Sequence, residues 1–238
     1  TAAANAPAAA PITCWEVPAL KLMRVFFAKK DRAKYISHLD LTRCMTRAFA
    51  RTDIPAWFTE GFNPHVYMTF ALPIPLGFEG LRESFDFKLR EDDFPLDRVG
   101  EQLNAALPPD IRVLEAATAV MKPEAIRWAD YRITLHEPAG GETLAADWER
   151  LLARPAIPVE KKTKHKTQEV DLRPLVTQLG CQAEGESLTL DLRLPGGGAM
   201  NLNPNLLLGA LWADRGGEAE YTQVVRTAIL TGELAPFA

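Results

Sequence analysis

Ser37-His38-Leu39-Asp40 sets a hydroxyl, an imidazole and a carboxylate in one short stretch, and Arg43 and Arg47 follow at helical spacing. Ser37 and Asp40 have the form of a capping box, with aspartate where glutamate is more usual. The hydroxyl accepts an otherwise orphan backbone amide, and the acid suits the positive end of the helix. His38, in the first turn, is placed to donate to a phosphate or to move a proton, and the helix dipole favours its neutral form. Asp40 can orient His38 or a basic side chain, or only cap the helix. Arg43 and Arg47 carry rigid donor forks that match phosphate or carboxylate. Gly61-Phe62-Asn63-Pro64-His65 is a second cluster. Its glycine and proline stiffen a loop in which Asn63 and His65 can read a base edge or bind a polar ligand while Phe62 or Phe58 stacks. The plainer readings are a helix start that packs locally, a solvated helix face, and a loop that caps its own backbone.

Other combinations are weaker. His38, His65 and Asp40 are ligand types for zinc or non-haem iron, but nothing in their spacing brings them together, so no metal site is assigned. Cys44 sits mid-helix, where burial is the usual fate. Lys161, Lys162, Lys164 and Lys166, with His165 among them, form a basic hairpin or loop. Such a segment can clamp an RNA backbone in a salt-sensitive, sequence-independent way, or serve as a lysine edge that discourages aggregation. Pro195-Gly196-Gly197-Gly198 lacks the lysine and serine of a phosphate-binding loop and reads as a hairpin turn.

Charge is uneven along the chain. The formal net charge of the 238 residues is −4, so nothing global demands a polyanionic partner. Residues 21–51, however, hold nine basic side chains against Asp31 and Asp40, a local +7 that can steer an acidic partner. Cys14, Cys44 and Cys181 are scattered and none has CxxC spacing, which argues against a disulfide framework, a zinc knuckle or an iron–sulfur cluster in this chain. The Ala/Pro-rich start over residues 1–18 lacks the pattern of a signal peptide and reads as a flexible lead-in. No apolar run is long enough to span a membrane. The expected location is the cytoplasm.

Two units are expected to position these residues. Over 19–122, the alternation of 20–28 predicts a strand, and a basic connection then leads to a helix from Ser37 to about Arg51. One face of that helix is Leu41, Met45, Ala48 and Phe49; Arg43, Arg47 and Arg51 stripe another. A short strand-like piece at 56–60, the 61–65 loop and strands at 66–72 and 83–90 follow. In the last of these Phe85, Phe87 and Leu89 point inward and Ser84, Asp86 and Lys88 outward. A helix over 95–107 and a strand over 111–119 complete the order expected of a split βαβ, or ferredoxin-like, unit. Over 123–238 the pattern is looser: a strand at 131–135, a helix at 144–153, ladder strands or a strand and a loop around the lysines, and a turn of helix at 176–179. A strand at 188–194, a helix at 206–212 and a closing strand or helix at 221–230 follow. The expectation is an α+β chain of tandem ferredoxin-like units, the second degraded.

Tyr35-Ile-Ser37-His38-Leu39-Asp40-Leu41, with Arg43 and Arg47, Gly61-Phe62-Asn63-Pro64-His65 and Phe70-Ala-Leu72-Pro73-Ile-Pro75-Leu76-Gly77, resembles the signature of the DUF2344, or radical-SAM-linked, family across most of residues 20–215. That resemblance implies a partner more than a reaction, because such modules sit beside, or fused to, a radical-SAM protein. The chain departs from the pattern at Glu60, where relatives often carry a small polar residue or glutamine, and after His65, where Val66 and Tyr67 replace a basic residue. It lacks the CxxxCxxC cluster motif, so the iron–sulfur cluster and S-adenosylmethionine are expected only in the partner, and no cofactor in this chain. A fainter resemblance of architecture, to the CRISPR repeat-processing endoribonucleases, raises the expectation of RNA without carrying function. The function expected is an accessory module that binds RNA or another phosphoryl substrate for a radical-SAM partner. The alternatives are a metal-independent endoribonuclease using His38 with Asp40, and a pure protein–protein interaction module.

Overall fold

Alternating Met23, Val25 and Phe27 fix the first strand, β1 (Lys21–Lys29), and all three side chains are buried. A computed structural model describes residues 20–91, 93–162, 167–198 and 200–238. The expected lead-in over 1–18, and Lys164, His165 and Lys166 of the basic cluster, lie outside them. After β1 a 3-10 turn (Asp31–Tyr35) leads to α1 (His38–Phe49). Then come β2 (Met68–Phe70), β3 (Glu79–Leu89), α2 (Leu96–Ala106) and β4 (Ile111–Thr118). The second half runs β5 (Ile126–His136), α3 (Gly141–Leu152), β6 (Pro158–Lys162), β7 (Thr167–Asp171), β8 (Thr177–Glu184), β9 (Ser187–Pro195), α4 (Pro204–Arg215) and β10 (Tyr221–Thr231).

The fold is α+β, with four helices among the described residues on a mixed sheet. The eight-stranded sheet has the order β4-β1-β3-β10-β5-β9-β8, with β2 paired along β3, while β6 and β7 form a separate two-stranded ribbon. Among the described residues every pairing is antiparallel except the join of the halves, where β10 meets β3 in parallel at Val225–Glu79 and Arg226–Gly80. One core packs α1 and α2 on β1, β3 and β4; another packs α3 and α4 on β5, β9 and β10 and takes in Leu72, Ile74 and Phe78 from the β2–β3 connection.

Two expectations are corrected. The predicted turn of helix at 176–179 is the start of β8, which pairs antiparallel with β9 and hairpins into it at Gly185 (φ +57°). As an edge strand it is mostly exposed, with Leu179 half in solvent, so it lacks the apolar alternation that would have marked it. Ser84 and Asp86, expected outward, are buried. Arg24 lies beside them and clamps Asp86 through Nε and Nη2 at 2.7 and 2.8 Å. Its guanidinium also donates to the backbone oxygens of Met121 and Ala238 and lies 4.2 Å from the Phe237 ring centre.

The strand registers set Lys29, Gly80, Arg226 and Tyr131 side by side in one row across β1, β3, β10 and β5. All four are buried. Gly80 must be glycine here because Glu83 folds over it: an added Cβ would fall against Glu83 Oε1 and lie 2.5 Å from its Cγ. The Glu83 carboxylate thereby reaches Arg226, whose Nε donates to Oε1 at 2.9 Å and whose Nη2 donates to Leu72 O at 2.6 Å. This charged row runs under the junction of the two halves, next to the start of α1.

Candidate functional site

The start of α1 is built as its sequence predicts. The Asp40 amide donates to Ser37 Oγ at 3.1 Å, and the Ser37 hydroxyl donates to Asp40 Oδ2 at 2.7 Å. The other carboxylate oxygen accepts from Arg43 Nη1 at 3.2 Å. The Ser37 hydroxyl, helped by Arg43, holds the Asp40 carboxyl below the ordinary aspartate value. Both oxygens are therefore turned to the cap and the arginine, and neither is bonded to His38.

His38 finds other company. One edge of its exposed ring meets Phe70, with centroids 4.8 Å apart at 77°, and Phe70 in turn packs on Phe27 and Phe85. Desolvation on that side, and then the nearby Lys29 ammonium, push the His38 pKa down, which favours the neutral ring at pH 7. Lys29 is itself buried, and its Nζ lies 3.4 Å from the carbonyls of Lys34 and Ile36. It pins the chain that delivers Ser37 and His38. Burial lowers the Lys29 pKa, with Glu83 acting in the opposite sense.

Arg43, Arg47 and Arg51 line an open groove of about 400 Å³ with Asp40 and Cys44. Arg51 donates across to Ala106 O at the end of α2. Arg43 has the single exposed pair with Asp40. Arg47 has no hydrogen-bond or ion-pair partner among the described residues. Cys44 is half-buried, and burial raises its thiol pKa despite the neighbouring Arg51 and Arg47. That disfavours the thiolate a nucleophile needs.

The second cluster is the tip of a hairpin. Phe58 bridges Val66, the Thr59 amide donates to His65 O at 2.8 Å, and the His65 amide donates to Thr59 Oγ1 at 3.2 Å. His65 Nδ1 lies 3.0 Å from Asn63 O and 3.1 Å from Thr59 Oγ1. Gly61, at φ +126°, makes the turn that a side chain would resist. Phe62 stands wholly exposed at the tip. No hydrogen bond or ring contact joins this cluster to His38 among the described residues, and no group of three or more His, Cys, Asp or Glu there could hold a metal. Lys161 and Lys162 end β6, opposite Gln168 and Thr167 of β7.

A third cluster was not visible in the sequence. Lys34 Nζ sits 3.3 Å from Glu79 Oε1 and 3.4 Å from the Tyr221 hydroxyl, and Gln223 Nε2 donates to the same Glu79 oxygen at 3.0 Å. Burial draws the Lys34 pKa down, but Tyr221 and Glu79 outweigh it and raise the value. Tyr221 is 187 positions from Lys34, and only the β3–β10 join brings it there.

Residues 22–204 match a family model described as "Uncharacterized protein conserved in bacteria (DUF2344)". The chain belongs to this family. The SHLD, GFNPH and FALPIPLG segments of this DUF2344 chain all fall within the matched span, whereas Tyr221 and Arg226 lie beyond it. No curated protein matches the chain. Among solved structures it is similar to an unknown protein from Galdieria sulphuraria, at 13% identity over 87% of this chain and 96% of the other, with a TM-score of 0.25. It is also similar to an anthrone oxidase-like protein, at 12% identity over 86% and 89%, with a TM-score of 0.24. Similarity at that level carries no weight for fold or function. No helix among the described residues is long and apolar enough to cross a membrane.

Proposed function

We propose that this DUF2344 chain is a non-catalytic module that binds RNA, or another phosphoryl-bearing substrate, along α1 and presents it to a radical-SAM partner. The observation that carries the reading is Arg47, which has no hydrogen-bond or ion-pair partner among the described residues and lies between Arg43 and Arg51 in an open groove lined by one acid, Asp40. A guanidinium fork with no carboxylate on it is suited to phosphate oxygens. The exposed Phe62 at the hairpin tip adds a face on which a base can stack. The radical-SAM partner rests on the family resemblance alone. Tandem split-βαβ units are part of the same reading, supported by the equivalent strand orders β4-β1-β3-β2 and β10-β5-β9-β8. The orientation of Asp40 towards Ser37 and Arg43, away from His38, ranks the binding module above a ribonuclease.

The test is binding of purified protein to a pool of cellular RNA at two salt concentrations, with the RNA recovered and sized afterwards. Neutralising about three phosphates of a single strand gives a log–log salt slope of roughly −2, and Arg47→Ala lowers its magnitude by about 0.7. The same substitution leaves stability within about 0.5 kcal/mol, since the side chain is exposed. Shortened RNA that His38→Ala leaves intact would replace the module with a nuclease. Absence of salt-dependent binding would leave the protein-interaction reading in its place.

A further inference from the structure

An aromatic ledge stands at the join of the two halves, on the segment that leads into α1. Leu39, Arg43 and Arg47 recur every fourth residue on α1, about 12 Å from end to end, and Arg51 follows just past the end of the helix. At the N-terminal end Leu39 is 58% exposed, and Tyr35 lies before the helix, at the end of the 3-10 turn. Tyr35 is 67% and Tyr221 47% exposed, large values for rings that serve no core. Lys34 lies between them, with Nζ 5.3 Å from the Tyr35 ring centre and 5.8 Å from that of Tyr221. Glu79 holds the ammonium in place at 3.3 Å. The Gly77 amide donates to Lys34 O at 2.8 Å, which sets the exposed Leu76 beside the same ledge. Two exposed rings with a fixed cation between them, on the segment that leads into a helix carrying phosphate-type donors, have the composition of a single-strand nucleic-acid platform: cations follow the backbone and rings take base faces with little regard to sequence.

Building on the RNA reading of the arginine groove, we infer that Tyr35 and Tyr221 stack unpaired bases of the strand whose phosphates lie along α1, so that the substrate is single-stranded and both halves of the chain contribute to its site. A duplex satisfies only the groove, because its bases are already stacked on one another and closed to the ledge.

Three probes test this: a fluorescein-labelled twelve-residue oligoadenylate, a duplex RNA of the same length, and inorganic polyphosphate. The full chain is expected to bind the oligoadenylate at least about tenfold more tightly than either competitor. Tyr35→Ala and Tyr221→Ala are each expected to weaken it by about tenfold, the cost of losing one stacked base, with the salt slope unchanged. Tyr35→Phe and Tyr221→Phe keep the ring and are expected to retain binding, which separates stacking from loss of the Lys34–Tyr221 hydrogen bond. Circular dichroism establishes that each variant is folded. If the alanine variants bind like the parent while Arg47→Ala weakens binding, or if the duplex competes equally, the ledge is no base platform although the groove still binds phosphate. If the parent binds none of the three probes, the RNA reading falls and the ledge with it.

Discussion

Arg226 and Glu83, 143 positions apart, form a buried two-point ion pair at the place where β10 joins β3. Neither side chain exposes more than 3% of its surface. Burial alone would depress the arginine pKa, but the Glu83 charge overcomes it and raises the value. The pair and the bond to Leu72 O tie three segments together: β3, β10 and the connection that follows Phe70.

Removing one partner strands the other charge in the interior. Arg226→Met is therefore expected to cost about 3–5 kcal/mol in urea unfolding, whereas the double variant Glu83→Leu/Arg226→Met recovers most of that, because a buried pair is often replaceable by apolar groups of similar volume. Equal losses in single and double variants would mean that packing, not the stranded charge, sets the cost.

Gly80 holds the same pair in place by being absent as a side chain. Gly80→Ala drives a methyl into the Glu83 carboxylate and is expected to approach the loss of the Arg226 single variant, on the order of 3 kcal/mol. Gly209, inside α4 with nothing within 4 Å of an added Cβ, supplies the opposite case. Gly209→Ala is expected to stabilise by up to about 1 kcal/mol through helix propensity. A Gly80→Ala protein as stable as the parent would show that Glu83 has another way to reach Arg226.

Local pattern was a good guide wherever one face decides burial. The Ser37 cap, the apolar face of α1 with Leu41, Met45, Ala48 and Phe49, and the alternation of β1 and β9 are all present. The basic tally over 21–51 misled, because counting charge ignores which face it occupies: Arg24 and Lys29 are each only 1% exposed and present no side chain to a partner. Ser84 and Asp86 read as outward because nothing local reveals that Arg24 clamps Asp86 while Phe237 and Ala238 come to lie against Arg24. Tyr221 could not be placed beside Lys34, because a parallel contact two residues long between β10 and β3 leaves no periodicity to read.

Ser37 is expected to act twice. Ser37→Ala removes the cap, at about 1 kcal/mol, and also removes the first cause of the depressed Asp40 pKa, leaving Arg43 as the remaining favourable neighbour. A carboxyl depressed in the folded state contributes stability above its unfolded value and loses it as the pH falls through the folded one. In the variant that window narrows. Carbon-13 NMR titration of the Asp40 carboxyl should show it moving up towards the ordinary aspartate range; an unmoved titration would mean that the hydroxyl is not its donor in solution.

His38 should titrate in the other direction from a histidine paired with an acid. Packing on Phe70, then the Lys29 charge, lowers its folded pKa below the ordinary histidine value. Between those two values the unfolded chain binds more protons than the folded one, so stability rises with pH across that interval and is level above it. His38→Gln, which cannot take up the proton, is expected to flatten that rise. Phe70→Leu is expected to move the His38 NMR titration upward by reopening the ring edge to water, and Lys29→Met to move it upward by deleting the cation. The two substitutions separate the causes, because the first leaves the cation in place and the second leaves the ring packed on Phe70. A His38 that titrates at or above the ordinary value in the parent protein would contradict the packing.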